Sequence, residues 1–137
     1  MSTEIRYFTK SKKGNTEKLA QTIANAVKLP ALDVTHDLNA KVDRLFLVNA
    51  MYAADIDKEV KAFLTRNRDK IGEVVNFCTS ASGKSTTAVL KKTAGALQIP
   101  VNDKDFHCAA SWIFINKGLP SADDFQKAAD FARSMKK

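Results

Sequence analysis

The chain has 137 residues, 45% of them hydrophobic, with 22 Lys and Arg against 15 Asp and Glu for a net charge of +7. That length suits one domain, residues 1–137, with a sizeable core, and no apolar run approaches the roughly 20 residues that cross a bilayer, so membrane insertion is not expected. The N-terminus M-S-T-E-I-R-Y-F is not a signal peptide, so a cytoplasmic protein is the expectation; two cysteines, Cys78 and Cys108, are too few for a disulfide framework.

Residues 4–8 (E-I-R-Y-F) are rich in β-formers and read as a strand. From Asn15 or Thr16, Leu19, Ala20, Ile23, Ala26 and Val27 recur at helical spacing, and Pro30 should close that helix near Leu29. Residues 31–35 (A-L-D-V-T) form a short strand. Residues 36–41 have room only for a turn, so the second strand is expected at a poorly formed edge. L-F-L-V at 45–48 is a nearly continuous apolar run, the mark of a strand buried on both faces. A loop at 49–55 leads to a helix carrying Ile56, Val60, Phe63 and Leu64, with Asp55 as the expected N-cap. Then come a strand at 73–79, a loop at 80–85 and a helix through Val89, Leu90, Ala94 and Leu97 that closes at Ile99–Pro100. A last strand spans 105–110, and a loop spans 111–120. The final helix starts at Ser121, with Asp124 completing a variant capping box and Phe125, Ala128, Ala129 and Phe131 on its buried side. The order βαββαβαβα predicts a doubly wound α/β domain with a parallel sheet covered by helices on both faces.

The chemistry concentrates in T-K-S-K-K-G-N-T, residues 9–16, between the first strand and first helix. Unpaired N–H groups and the helix dipole favour an anion at such a place. Thr9, Ser11 and Thr16 add hydroxyl donors, and Lys10, Lys12 and Lys13 add charge. Gly14 allows close backbone approach or a positive φ. A phosphate site is the reading; a merely solvated basic loop is the alternative. The net charge also points to an anionic partner, but scattered lysines without an aromatic stripe give nucleic acid little support.

These segments together resemble the flavodoxin-like family over nearly the whole chain. The strongest element is I-R-Y-F-T-K-S-K-K-G-N-T-E-K-L-A-Q-T-I at 5–23, supported by L-F-L-V-N-A-M-Y-A-A-D-I-D-K-E-V-K-A-F-L at 45–64 and N-F-C-T-S-A-S-G at 76–83. The resemblance implies a five-stranded parallel sheet in the order 2-1-3-4-5, with FMN at the carboxyl ends of the strands; flavodoxin is itself a standard example of that switch-point rule. It implies that Thr9, Lys10, Ser11, Lys13, Gly14, Asn15 and Thr16 hold the phosphate. Ala50, Met51, Tyr52 and Ala53, with Thr79, Ser80, Ala81, Ser82 and Gly83, would flank the isoalloxazine, with Tyr52 stacked on the ring. The implied function is electron transfer. A small NAD(P)H-dependent FMN reductase and a binding module with a degenerate flavin site are the alternatives. The 50–55 loop lacks the Gly that many flavodoxins carry, and the basic charge implies an acidic redox partner.

Other motifs give less. G-K-S at 83–85 follows a strand, but a Walker A loop needs Gly where Cys78 stands. Lys84 or Ser82 touching an anion competes with a plain exposed turn. Cys78 and Cys108 read as buried structural thiols on neighbouring strands, with a redox pair dependent on their separation. His107 reads as a sheet residue, His36 as a turn residue and Trp112 as a loop anchor. Asp55 and Asp57 fit helix-start electrostatics better than metal binding.

Overall fold

The computed structural model describes residues 2–8, 14–50, 56–80, 85–109 and 120–136. The strands are β1 (Thr3–Tyr7), β2 (Ala31–Asp33), β3 (Arg44–Ala50), β4 (Val74–Ser80) and β5 (Phe106–Ala109). The helices are α1 (Asn15–Val27), α2 (Lys58–Asn67), α3 (Thr87–Ala96) and α4 (Ala122–Met135), with a short 3₁₀ turn at Arg68–Lys70 after α2. All strands pair in parallel in the order β2-β1-β3-β4-β5. The sheet order is thus the one the family resemblance implied.

Residue alternation along the inner strands splits the core in two. On one face Ile5, Phe46, Val48, Val75 and Phe77 pack against Leu19, Ile23 and Val27 of α1 and Ala128, Ala132 and Met135 of α4. The Phe46 and Phe77 rings lie 5.1 Å apart, and Phe131 meets Phe77 edge-on at 5.5 Å. On the other face Leu45, Leu47 and Val74 pack against Val60, Phe63 and Leu64 of α2 and Leu90 and Ala94 of α3. A strand that feeds both layers must be apolar at every position, which is why 45–48 reads as an unbroken run.

Helix ends follow local chemistry. Ser121 Oγ accepts from Asp124 N at 3.2 Å while Asp124 Oδ2 accepts from Ser121 N at 2.9 Å, the expected reciprocal box. The cap of α2 is Asp57, whose carboxylate accepts from Glu59 N at 2.9 Å, and not Asp55, which lies outside the described residues. α1 and α3 stop before their Leu29–Pro30 and Ile99–Pro100 pairs. Lys28 (φ 59°) and Gln98 (φ 61°) turn left-handed, and Leu29 N and Ile99 N reach back to the carbonyls of Ala24 and Ala94. That is the αL closure which proline then makes final.

The expected strand at 31–35 is only three residues long. The segment after it is more than a turn. Leu38 is fully buried, and the backbone around it is bound by distant side chains. Arg6 donates to the carbonyls of His36 (2.8 Å) and Asp37 (3.2 Å). Asn67 Oδ1 accepts from Leu38 N at 2.9 Å, and Lys70 Nζ donates to Leu38 O at 2.9 Å. Buried Arg6 and Asn67 thus satisfy backbone groups that a helix would have satisfied internally. Gly72 is needed beside this strap, because a Cβ there would stand 2.8 Å from Asp43 O.

Candidate functional site

The chain runs from β1 outward to β2, then returns past β1 to β3. The crevice outside the carboxyl ends of β1 and β3 is therefore the topological switch point, where open α/β sheets take ligands. α1 starts there. Its N-cap is Gly14 at φ −83°, ψ −175°, which brings no side chain of its own to the helix start. Gly14 is extended, so the positive φ expected as one option is not used; close approach remains its distinctive property.

Thr16, in the first turn of α1, is buried, and its Oγ1 lies 3.3 Å from Oγ1 of buried Thr79 on β4. This contact reaches across β3 and fixes the helix start over the strand ends. Ala50 ends β3 opposite Thr79, and Ser80 ends β4 opposite Ala109. Gly14, Asn15, Thr16, Ala50, Thr79 and Ser80 therefore share one edge of the sheet. Thr9, Lys10, Ser11, Lys13, Met51, Tyr52, Ala53, Ala81, Ser82 and Gly83 lie outside the described residues, as do Lys84 and Trp112.

Beside this edge, on the α2–α3 side, runs a polar chain that the sequence reading missed. Asn49 Nδ2 donates to Asn76 Oδ1 at 2.8 Å. Asn76 Nδ2 donates to the hydroxyls of Thr86 (2.9 Å) and Thr87 (3.1 Å). Thr87 and Ser85 both donate to one carboxylate oxygen of Asp105, and the other oxygen lies 2.8 Å from His107 Nδ1. Asn49, Asn76, Thr86 and Thr87 are buried, whereas His107 is exposed. Burial pushes the Asp105 carboxyl up, but hydrogen bonds from Ser85, Thr87 and His107 outweigh it and hold the group below the usual carboxylate range. Among the described residues, Asn49 Oδ1 is buried and has no hydrogen-bond partner. An asparagine inside each of two apolar strands, L-F-L-V-N and V-V-N-F, was the available signal.

The thiols do not form a pair. Cys78 is in register with His107, and Cys108 with Thr79, so the two side chains point to opposite faces of the sheet. Both are free and buried. Burial pushes Cys108 up to about 12, aided by the charges of Asp124 and Cys78, and also raises Cys78. Burial and a raised pKa both weaken a thiol as a nucleophile. His36 is exposed and contacts Asp33 at 3.2 Å. The described residues contain no cluster of three metal-ligating side chains and no helix long and apolar enough to cross a membrane.

The helix start carries glycine in place of a side-chain cap, two hydroxyls meet behind it, and an acceptor lacks a donor close by.

The order of the parallel sheet and its covering helices give this chain a flavodoxin-like fold. The chain superposes on a flavodoxin from the domain Archaea with a TM-score of 0.68 at 12% identity, covering 98% of this chain and 95% of that one. Flavodoxin 1 from Bacillus cereus gives 0.66 at 18% identity, covering 96% and 95%. An NADH:FMN oxidoreductase in its apo form gives 0.61 at 17% identity, covering 100% and 91%. No protein-family model and no curated protein sequence matches this chain. At such identities the likeness is one of fold.

Proposed function

We propose that this protein binds FMN noncovalently and acts in electron transfer. The observation that carries the reading is the start of α1: a helix N-terminus at the β1–β3 switch point, opened by Gly14 and tied to β4 through Thr16 and Thr79. Helix N–H groups and the dipole favour a phosphate there. Thr9, Lys10, Ser11, Lys13, Asn15 and Thr16 are the residues proposed to surround it. Ala50 to Ala53 and Thr79 to Gly83 are proposed to flank the ring, with Tyr52 stacked on it. The flavin, when bound, supplies the redox chemistry, and the chain supplies binding, orientation and electrostatics. The excess of basic residues suits an acidic protein partner. The fold shared with an NADH:FMN oxidoreductase supports a small flavin reductase as a second reading, and NADH oxidation by the FMN-loaded protein separates the two.

The test is titration with FMN, with riboflavin as the control. Saturable binding that favours FMN is expected. Gly14→Val and Thr16→Ala should each weaken FMN, the first by blocking close approach and the second by removing a hydroxyl and its Thr79 contact. Binding of neither flavin by the parent protein sinks the proposal and leaves a binding module with a degenerate site.

A further inference from the structure

We infer that Asn49 is a ring-binding residue and that Asp105 is the positioning residue that aims it. This inference rests on the flavin reading above. The argument is one of hydrogen-bond polarity. An ionised carboxylate only accepts, so Thr87, bonded to Asp105, must spend its one proton there. The Thr87 oxygen is then left to accept, and the group facing it must be the amide nitrogen of Asn76. That orientation turns Asn76 Oδ1 toward Asn49, which must answer with its own amide nitrogen. Asn49 Oδ1 is left at the far end as an acceptor with no choice of role.

The end of the chain is unmet. Asn49 is 1% exposed, and its Oδ1 has no partner among the described residues. A buried amide oxygen left bare costs about 1–3 kcal/mol, so such atoms are rare in folded proteins unless a ligand or a held water serves them. Asn49 precedes Ala50, the last residue of β3, and lies beside Cys78 on β4, at the strand ends proposed to flank the ring. Oxidised isoalloxazine carries a single ring N–H, at its imide nitrogen. The complementary pair is this imide N–H and Asn49 Oδ1, in direct contact or through one water. On the face with α1 and α4 the corresponding polar residue near the strand ends is Thr79, whose hydroxyl is met by Thr16.

The experiment measures dissociation constants of FMN and riboflavin for the full chain, Asn49→Leu, the double variant Asn49→Leu/Asn76→Leu, and Asp105→Leu. The double variant removes both partners of the amide pair and guards against misfolding from a bare Asn76 oxygen. The imide nitrogen resonance of ¹⁵N-labelled FMN gives a readout that general loosening of the fold would not move. Loss of one hydrogen bond should weaken both flavins roughly five- to tenfold in the folded Asn49 variants. The ratio of FMN to riboflavin affinity should hold, because the phosphate contacts are untouched, and the imide resonance should shift. Asp105→Leu should shift the resonance in the same direction by less. Unchanged affinity and resonance in a folded Asn49 variant overturn the inference while leaving the flavin reading intact. A weakening confined to FMN overturns it too. An unmoved resonance in Asp105→Leu removes Asp105 from the mechanism. A parent protein that binds neither flavin overturns both readings together.

Discussion

The two faces of the sheet solve the same packing problem differently. Under α1 and α4 the layer is apolar and aromatic, with Phe46, Phe77 and Phe131 in mutual contact. Under α2 and α3 the layer is apolar only in its lower half. Toward the strand ends it becomes an amide and hydroxyl chain running from Asn49 to Asp105. An apolar layer tolerates many arrangements of its side chains, because dispersion and burial have little direction. A buried polar chain tolerates one, because every donor must find its acceptor. The first face is held by undirected packing, and the second adds directed bonds near the proposed site.

That contrast can be broken most forcefully at Phe77. It is fully buried and touches Phe46, Phe106 and Phe131. Phe77→Ala should cost about 4 kcal/mol, read from urea unfolding. A loss near 1 kcal/mol would mean that the aromatic layer is not the main support. Asn76→Leu should cost about 2 kcal/mol by leaving Asn49 and two threonine hydroxyls without their partner. A neutral or stabilising result would show that the polar chain relaxes easily and has little power to orient anything. Ser121→Ala removes the capping box of α4 on the apolar face and should cost about 1 kcal/mol, with the midpoint shifting and the slope of the urea curve unchanged.

The same contrast explains what was legible in the sequence. The apolar face was readable because its rule is periodic: Leu19, Ala20, Ile23 and Val27 repeat at helical spacing and are buried, while Ala26 from the same set is half-buried. The Ser121–Asp124 cap was readable because its partners are three residues apart. The sheet order came from the family resemblance, since alternation of strands and helices alone leaves several orders open. The polar chain was not read, although Asn49 and Asn76 interrupt apolar runs, because its contacts join residues 10 to 27 positions apart. The strap at 34–42 was hidden for the same reason. Its backbone is served by Arg6, Asn67 and Lys70 from roughly 30 residues away. Of the candidate site, Gly14, Asn15, Thr16, Ala50, Thr79 and Ser80 are placed on one edge. Gly14 does so in an extended conformation, where a positive φ had been one expectation.

The smallest effect expected is a pH dependence, and it isolates the carboxylate that polarises the second face. Asp105 is pushed up by burial and pulled down further by hydrogen bonds from Ser85, Thr87 and His107, for a net lowering. The groups facing it are those three side chains and, from the neighbouring strand β4 on the same face, the Cys78 thiol. A carboxyl that is more acidic when folded takes its proton more readily when unfolded. It therefore stabilises the fold fully above its unfolded value of about 3.9, and that contribution is lost as pH falls through the lower folded value. Asp33, Asp37 and Asp103 are lowered too and add slope in the same direction, but they are exposed or nearly so and sit away from the chain. Subtracting the unfolding free energy of Asp105→Asn from that of the parent between pH 6 and about pH 2.5 removes their share. The difference should be flat above pH 5 and shrink in the acid range. A difference that grows on acidification would mean that Asp105 is protonated in the folded protein. It would then no longer fix the direction of the Thr87, Asn76 and Asn49 bonds.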